Sequence, residues 1–386
     1  MTRPAVTRLR LDDPKAAPLT VLSGGGASRL AGEIVTDRGA RRVLVVASES
    51  GFVRTGLREV LSGDGVRLFS GFSPNPRLEQ ALRGCAVRDD WDPQAIVAVG
   101  GGSALDTAKL IRALPADPAA ARAVVDGRSG PPGRPRVPLV AIPTTAGTGS
   151  EVTRFATVFV DGEKRSLDHG GVRPDVALVD PDLLRGCPPE VAYPCAFDAY
   201  CHAVESFWSR RSTPASREAA RTALRLMTPI LLTADFTALR PADRAGLATA
   251  ACAAGRAIDV TRTTAAHAFA YRLTIRHGVP HGLACLLNLR WVLEYNARRA
   301  GTACQDARGA AYLRDRLAEL DGLIGAATPA ALLARAGLPD RLGAYGVTAR
   351  ADVEALATAG LGHNRSAGNP VALTLPGVLD ELMAIR

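Results

Sequence analysis

Two textures divide the chain. In the first half, short apolar runs recur at Arg42–Ala47 (RVLVVA), Val66–Phe72, Ala95–Val99 (AIVAV) and Val137–Ile142 (VPLVAI). They are continuous instead of alternating, which predicts strands of a parallel sheet covered on both faces. Helical segments at Val53–Leu61 and Ala104–Leu114 fall between them and give a βαβ series. Gly127–Pro138 (GRSGPPGRPRVP) predicts a surface loop, because Gly and Pro interrupt both regular states. Beyond Asp180–Leu184 (DPDLL), β-branched runs thin out and Ala, Leu and Arg recur at helical spacing. This predicts helices over Pro189–Ser209, Ser216–Leu232, Pro241–Ala265, Leu283–Ala300 and Tyr312–Ile324. The expectation is an α/β domain over residues 1–185 and an all-α domain over residues 186–386, with ligands in the cleft between them.

The length of 386 residues agrees with two domains. The balance of 47 basic and 38 acidic residues gives a net charge of +9. This charge is scattered, and its densest cluster, Arg128–Arg136, lacks aromatic neighbours, so no nucleic-acid partner is expected. Only three lysines, Lys15, Lys109 and Lys164, stand among the 47 basic residues, a bias read as genome composition. The seven cysteines are odd in number, irregular in spacing and without a CxxC pair. That argues against a disulfide framework and for small buried thiols in a reduced cytoplasm. No apolar run reaches the roughly 18 residues of a membrane helix, and the N-terminus lacks a secretory pattern. A cytoplasmic protein without membrane attachment is the expectation.

Two loops carry candidate binding chemistry. Gly100-Gly101-Gly102-Ser103 joins a predicted strand to a predicted helix, where glycines admit close backbone approach and a helix N-terminus attracts phosphate. Ser103 and Asp106 also have the spacing of a capping box, so a plain capped turn is the competing reading. Ile142–Glu151 (IPTTAGTGSE) again follows a strand and offers the hydroxyls of Thr144, Thr145, Thr148 and Ser150. Two such loops at strand C-termini of one sheet favour a dinucleotide site. Glu49, after the first strand, suits ribose hydroxyls or is a solvated loop acid. Among six histidines, His202 lies four residues after Asp198 on one predicted helix, so both leave the same face. With His267 and His281 they form a plausible divalent-metal set, one carboxylate and three imidazoles.

GGGSALDTAK (100–109), IPTTAGTGSEVT (142–153), DPDLL (180–184), FDAYCHAVESFWS (197–209) and VPHGLA (279–284) together resemble the iron-containing (group III) alcohol dehydrogenases. The resemblance implies a Rossmann-like N-terminal domain, a helical C-terminal domain, NAD(P)H, and a divalent metal, Fe(II) or Zn(II), on Asp198, His202, His267 and His281. It carries Gly101, Gly102, Ser103, Asp106, Thr144, Thr145 and Lys164 over as dinucleotide contacts, joined by Thr148 and Glu49 from the loop reading. KRSLDH (164–169), TRTTAAHAFAY (261–271) and the Asn364-Arg365 and Asn369-Pro370 pairs are similar to the phosphonoacetaldehyde reductases within the family. This implies reduction of a small anionic aldehyde to its alcohol, with Arg262, Arg154 and Arg365 as phosphonate-binding candidates. Asp198, His267 and Tyr271 are the catalytic candidates. Tyr271 stands where many members carry histidine; its hydroxyl can relay a proton but cannot act as an imidazole base. A general dehydrogenase for neutral short-chain aldehydes and a dehydroquinate-synthase-like cyclase are the alternatives. A homodimer is the assembly the resemblance implies.

Overall fold

The computed structural model describes residues 4–13, 16–131 and 137–386. Lys15, residues 132–136 of the Gly/Pro loop, and with them part of the 128–136 arginine cluster, lie outside the described residues. The chain divides into two compact units, Met1–Gly186 and Cys187–Arg386.

In the first unit the strands are β1 (Thr7–Asp13), β2 (Ala16–Ser23), β3 (Val43–Val46), β4 (Val66–Phe69), β5 (Ala95–Gly100), β6 (Leu139–Pro143), β7 (Phe155–Val160), β8 (Glu163–Asp168) and β9 (Val176–Val179). Seven of them form one sheet in the order β1-β2-β9-β6-β5-β3-β4, while β7 and β8 pair as a separate antiparallel hairpin. Every pairing from β2 to β4 across this sheet is parallel. The continuous apolar runs have the predicted cause. Val43, Val45, Val97 and Val140 pack on one face with α1 (Ala31–Asp37), α2 (Glu49–Arg54) and α3 (Leu57–Val60). Leu44, Val46, Ile96 and Ala141 pack on the other with α5 (Gly102–Ala113), beside α4 (Leu78–Trp91); α6 (Pro118–Val125) follows. Alternate residues thus bury into opposite layers. The chain runs from β3 out to β4, then returns to place β5 on the other side of β3, which makes the β3/β5 boundary a topological switch point.

The second unit is helical: α7 (Pro189–Trp208), α8 (Pro214–Thr233), α9 (Pro241–Thr261), α10 (Ala265–His277), α11 (His281–Arg299), α12 (Ala310–Ile324), α13 (Pro329–Arg335), α14 (Arg350–Gly362) and α15 (Leu375–Ala384). Two predicted helices are corrected. Val53–Leu61 breaks at Gly56, whose φ of +69° is left-handed. The segment predicted over Pro241–Ala265 stops at Thr261, because Arg262 has φ +60° and the β-branched Thr263 and Thr264 turn the chain into α10. An 18-residue window within Ala310–Arg335 reaches a mean hydropathy of 1.3. Gly325, at φ +52°, ends α12, so this stretch holds helices of 15 and 7 residues, shorter than the roughly 20 a bilayer requires.

Candidate active site

At the switch point of the first unit, β5 runs directly into the Gly100–Ser103 turn. Gly100 has φ +148°, closed to residues with a Cβ. A Cβ on Gly102 would lie 2.7 Å from Thr148 Cγ2, and one on Gly101 would lie 3.4 Å from Thr145 Oγ1. The glycines therefore let the Thr144–Ser150 loop settle on the turn, and Thr144 N donates to Gly100 O at 3.0 Å. The capping box does not form. Gly101 is the N-cap of α5 and no side chain caps it, which suits this helix end to an anion. Ser103 Oγ accepts from Asn75 N at 3.3 Å. Asp106 accepts from Ser150 Oγ at 2.6 Å and Thr157 N at 2.8 Å, so it fastens the second loop to α5. Lys109, fully buried, does the same by donating to Thr153 Oγ1 at 3.0 Å and Phe155 O at 2.9 Å. Glu49 opens α2 after β3, exposed, beside the same switch point. Lys164 lies on β8 opposite Phe159, two pairs beyond the Thr157–Ser166 pair that meets Asp106.

In the second unit, α7, α10 and α11 bring together the four predicted ligands. Asp198 and His202 are one turn apart on α7 and only 5% exposed each. His267 lies in the first turn of α10 at 2% exposure, and His281 is the first residue of α11. Asp198 Oδ1 is 3.2 Å from His267 Nε2 and 3.5 Å from His202 Nε2. The His202 and His267 rings stack at 4.7 Å, and the His281 ring stands edge-on to His267 at 5.5 Å. Donor atoms on a tetrahedral ion with bonds of about 2.0–2.2 Å stand roughly 3.3–3.6 Å apart, so these spacings fit a shared divalent cation. Gly282 makes the approach of α11 possible: a Cβ there would fall 1.8 Å from Pro194 O and 2.7 Å from Asp198 N.

Matches to known proteins accord with this geometry. The profile described as iron-containing alcohol dehydrogenase matches residues 18–181, and that of the C-terminal part of the Fe-containing alcohol dehydrogenase family matches residues 194–385. The chain belongs to the iron-containing alcohol dehydrogenase family. It is 38% identical to a phosphonoacetaldehyde reductase of Streptomyces viridochromogenes over 260 residues, 66% of this chain and 64% of that relative. It is 30% identical to a probable alcohol dehydrogenase, EutG, of Escherichia coli over 342 residues, 86% of this chain and 85% of that one. A solved sulfoacetaldehyde reductase from Bifidobacterium kashiwanohense, in complex with NAD+, superposes with a TM-score of 0.81 at 26% identity, covering 97% of this chain and 99% of that one. The cofactors implied by the sequence, a nicotinamide dinucleotide and a divalent metal, are those of an NAD(P)-linked, metal-dependent alcohol dehydrogenase.

Two residues beside the four predicted ligands escape motif reading. Glu205, fully buried on α7, meets His267 Nδ1 and also accepts from Thr264 Oγ1 at 2.7 Å and Ala266 N at 2.8 Å. Its place seven residues after Asp198 puts it on the same helix face, the signal that would have found it. Cys285, one turn after His281, places Sγ 3.8 Å from His281 Nε2, and its sulfur clusters with donor atoms of Asp198, His267 and His281 within 4.8 Å. Burial pushes the Cys285 thiol up to about 11, which keeps it protonated at neutral pH. Burial opposes the Asp198 charge, yet the imidazoles of His202, His267 and His281 hold it far below the usual carboxylate range. Burial likewise opposes ionisation of Glu205, and His267 and Thr264 bring it below its ordinary value. For His267, burial disfavours the charged ring, while Cys285, Glu205 and Asp198 reverse that and lift it well above the ordinary value.

Tyr271 stacks on His281 at 5.5 Å with an interplanar angle of 8°, and its other neighbour is His363, with ring centroids 4.6 Å apart. Arg262 is 7% exposed in the turn before α10. Arg365 lies on the segment whose Gly368 packs against Thr263 and Thr264. These two arginines therefore occupy adjoining segments of the helical unit, whereas Arg154 belongs to the first unit, its carbonyl accepting from His169 N at 3.0 Å.

Proposed function

We propose that this dehydrogenase reduces phosphonoacetaldehyde to 2-hydroxyethylphosphonate with NAD(P)H. Supporting this reading, one relative and one structural neighbour are named for two-carbon aldehydes bearing a tetrahedral oxyanion, a phosphonate and a sulfonate. The observation that carries it is Arg262, held at positive φ three residues before the helix that presents His267. In this reading its guanidinium, whose Nη1 donates to Asp259 O at 3.3 Å, also pairs with phosphonate oxygens while the aldehyde end faces the metal ligands.

Asp198, His202, His267 and His281 would hold a cation that supplies Lewis-acid polarisation of an aldehyde oxygen, and the two glycine turns would hold a reduced nicotinamide dinucleotide that supplies hydride. Asp198 brings the anionic donor that offsets part of the cation's charge, and His202, His267 and His281 bring neutral nitrogen donors. On the dinucleotide side, Asp106 and Lys109 hold the Thr144–Ser150 loop on the glycine turn, and the uncapped α5 N-terminus receives phosphate. Glu49 binds a ribose hydroxyl, and Lys164 approaches from the β7–β8 hairpin. The Tyr271 hydroxyl passes the proton that completes the alcohol, with the His363 ring as its neighbour.

The match to the probable alcohol dehydrogenase EutG favours a second reading, reduction of neutral short-chain aldehydes. A substrate profile decides between them. Protein loaded with ferrous ion or zinc should reduce phosphonoacetaldehyde with a kcat/KM far above that for propanal. Equal values would remove the phosphonate assignment and leave the dehydrogenase intact. Stoichiometric NAD(P)H consumption excludes a cyclase that returns its cofactor unchanged.

A further inference from the structure

We propose that Glu205 is a positioning residue that sets the tautomer and aim of the metal ligand His267, and so sets how tightly the centre holds its cation. This rests on the metal-dependent reading above. Both oxygens of Glu205 are committed. Oε1 accepts from Thr264 Oγ1 at 2.7 Å and from Ala266 N at 2.8 Å. Thr264 is the N-cap of α10, and its own side chain caps nothing on that helix. Glu205 therefore does from α7 what an N-cap side chain does locally: it accepts from an early amide of α10 and places negative charge at the positive end of the helix.

Oε2 faces His267 Nδ1. When a cation replaces the second ring proton, an acceptor-only carboxylate at that nitrogen keeps the remaining proton on Nδ1, which leaves the lone pair on Nε2, the atom 3.2 Å from Asp198 Oδ1. One buried carboxylate thus fixes where α10 starts and which nitrogen its histidine offers. The surroundings prevent Glu205 from choosing another partner. Thr264 Oγ1 accepts from Trp208 Nε1 at 3.1 Å while donating to Glu205. The Ser206 and Thr261 hydroxyls meet at 2.9 Å, tying the end of α7 to the turn that carries Arg262. A carboxylate held in this way raises the basicity of a ligating imidazole and stops it from rotating, and removing such a group typically weakens metal binding about 10–100-fold.

The test uses the full chain, stripped of metal and titrated with Zn(II) by calorimetry. E205Q keeps the length of the side chain but offers a neutral amide, and its Zn(II) Kd should rise about 10–100-fold. E205D keeps the charge at shorter reach and should recover part of that loss. The NADH Kd, set by residues of the other unit, should stay unchanged in both. A role confined to stability would lower the melting temperature of the metal-free protein but leave the Zn(II) Kd of the folded variant at the wild-type value, and that result overturns the proposal. A measurement on the wild type needs no variant to fold: 15N-histidine spectra of the Zn(II)-loaded protein should show His267 protonated at Nδ1. A proton at Nε2 overturns the proposal as well. If the wild-type protein binds no divalent cation and turns over no aldehyde, the metal-dependent reading itself fails, a result distinct from unchanged affinity in an active enzyme.

Discussion

Gly282→Ala tests the packing that brings α11 to α7. The added methyl would sit 1.8 Å from Pro194 O, 2.7 Å from Asp198 N and 2.9 Å from Asp198 Cβ. Cβ atoms essentially never approach other heavy atoms closer than 3.0 Å, and all three neighbours belong to one turn of α7, where no flexible side chain can yield. The helices must therefore separate by about 1 Å, an overpacking that costs typically 1–3 kcal/mol. The residue before Gly282 is His281 and the turn it strikes ends at Asp198, so the separation moves two metal ligands apart. We expect the Zn(II) Kd of G282A to rise about 10–100-fold, comparable to losing the support of a ligand, together with a lower melting temperature. Gly322→Ala on α12 is the matched control, because nothing lies within 4 Å of its added methyl. There, alanine should stabilise the helix by about 0.5–1 kcal/mol without changing metal affinity. Calorimetric titration and thermal melts of both variants decide the matter. Wild-type affinity and melting temperature in G282A would show that α11 does not need a bare backbone at this point.

Glu151, fully buried behind the Thr144–Ser150 loop, is raised by burial from 4.5 to about 7, against the opposing pull of its own backbone and of Lys109. The folded state therefore binds a proton that the unfolded state has released between these values, so stability falls as pH rises from about 4.5 to about 7. Glu151→Gln removes this dependence and should gain up to about 3 kcal/mol over the wild type between pH 4.5 and pH 8. Urea midpoints at the two pH values measure it, and identical pH slopes in both proteins would refute it. Asp106→Asn presents an amide where two donors, Ser150 Oγ and Thr157 N, now find acceptors. The NADH Kd should rise about tenfold, from the roughly 1–3 kcal/mol that an unsatisfied buried donor costs, with the Zn(II) Kd unchanged; a fluorescence titration with NADH shows whether it does.

The parallel core was legible because its strands are buried on both faces and so read as unbroken apolar runs. Strands of other character were not. β1 (TRLRLDD) alternates charge with leucine at the sheet edge, and β8 (EKRSLD) is a mostly exposed hairpin strand. β9 has only four residues, VALV, too few to assert a period. The end of α9 was hidden because a left-handed arginine leaves no mark in composition. The convergence of Asp198, His202, His267 and His281 was visible through the i, i+4 spacing of the first two and through motif resemblance. Glu205 shared that face, but its role depends on α10 arriving beside it, a tertiary fact that α7 alone does not encode. Asp106 shows the reverse case: its spacing from Ser103 suggested a local cap, and its carboxylate instead reaches 44 and 51 residues along the chain. Gly24–Gly26 matches no motif, yet Asp180 of DPDLL accepts from Gly26 N and Ser28 N at 3.0 Å each and so anchors a third glycine loop.

All four proposed metal donors lie in Cys187–Arg386, while both glycine turns proposed for the nucleotide lie in Met1–Gly186. Linkage follows from this placement: a cation that binds only the folded helical half raises the unfolding free energy in proportion to the logarithm of free metal. Chelation during purification would accordingly remove that stabilisation and the Lewis acid together, while the residues proposed to hold the dinucleotide, none of them a metal donor, stay chemically unchanged. Such a preparation would look intact by nucleotide binding and be inert in turnover.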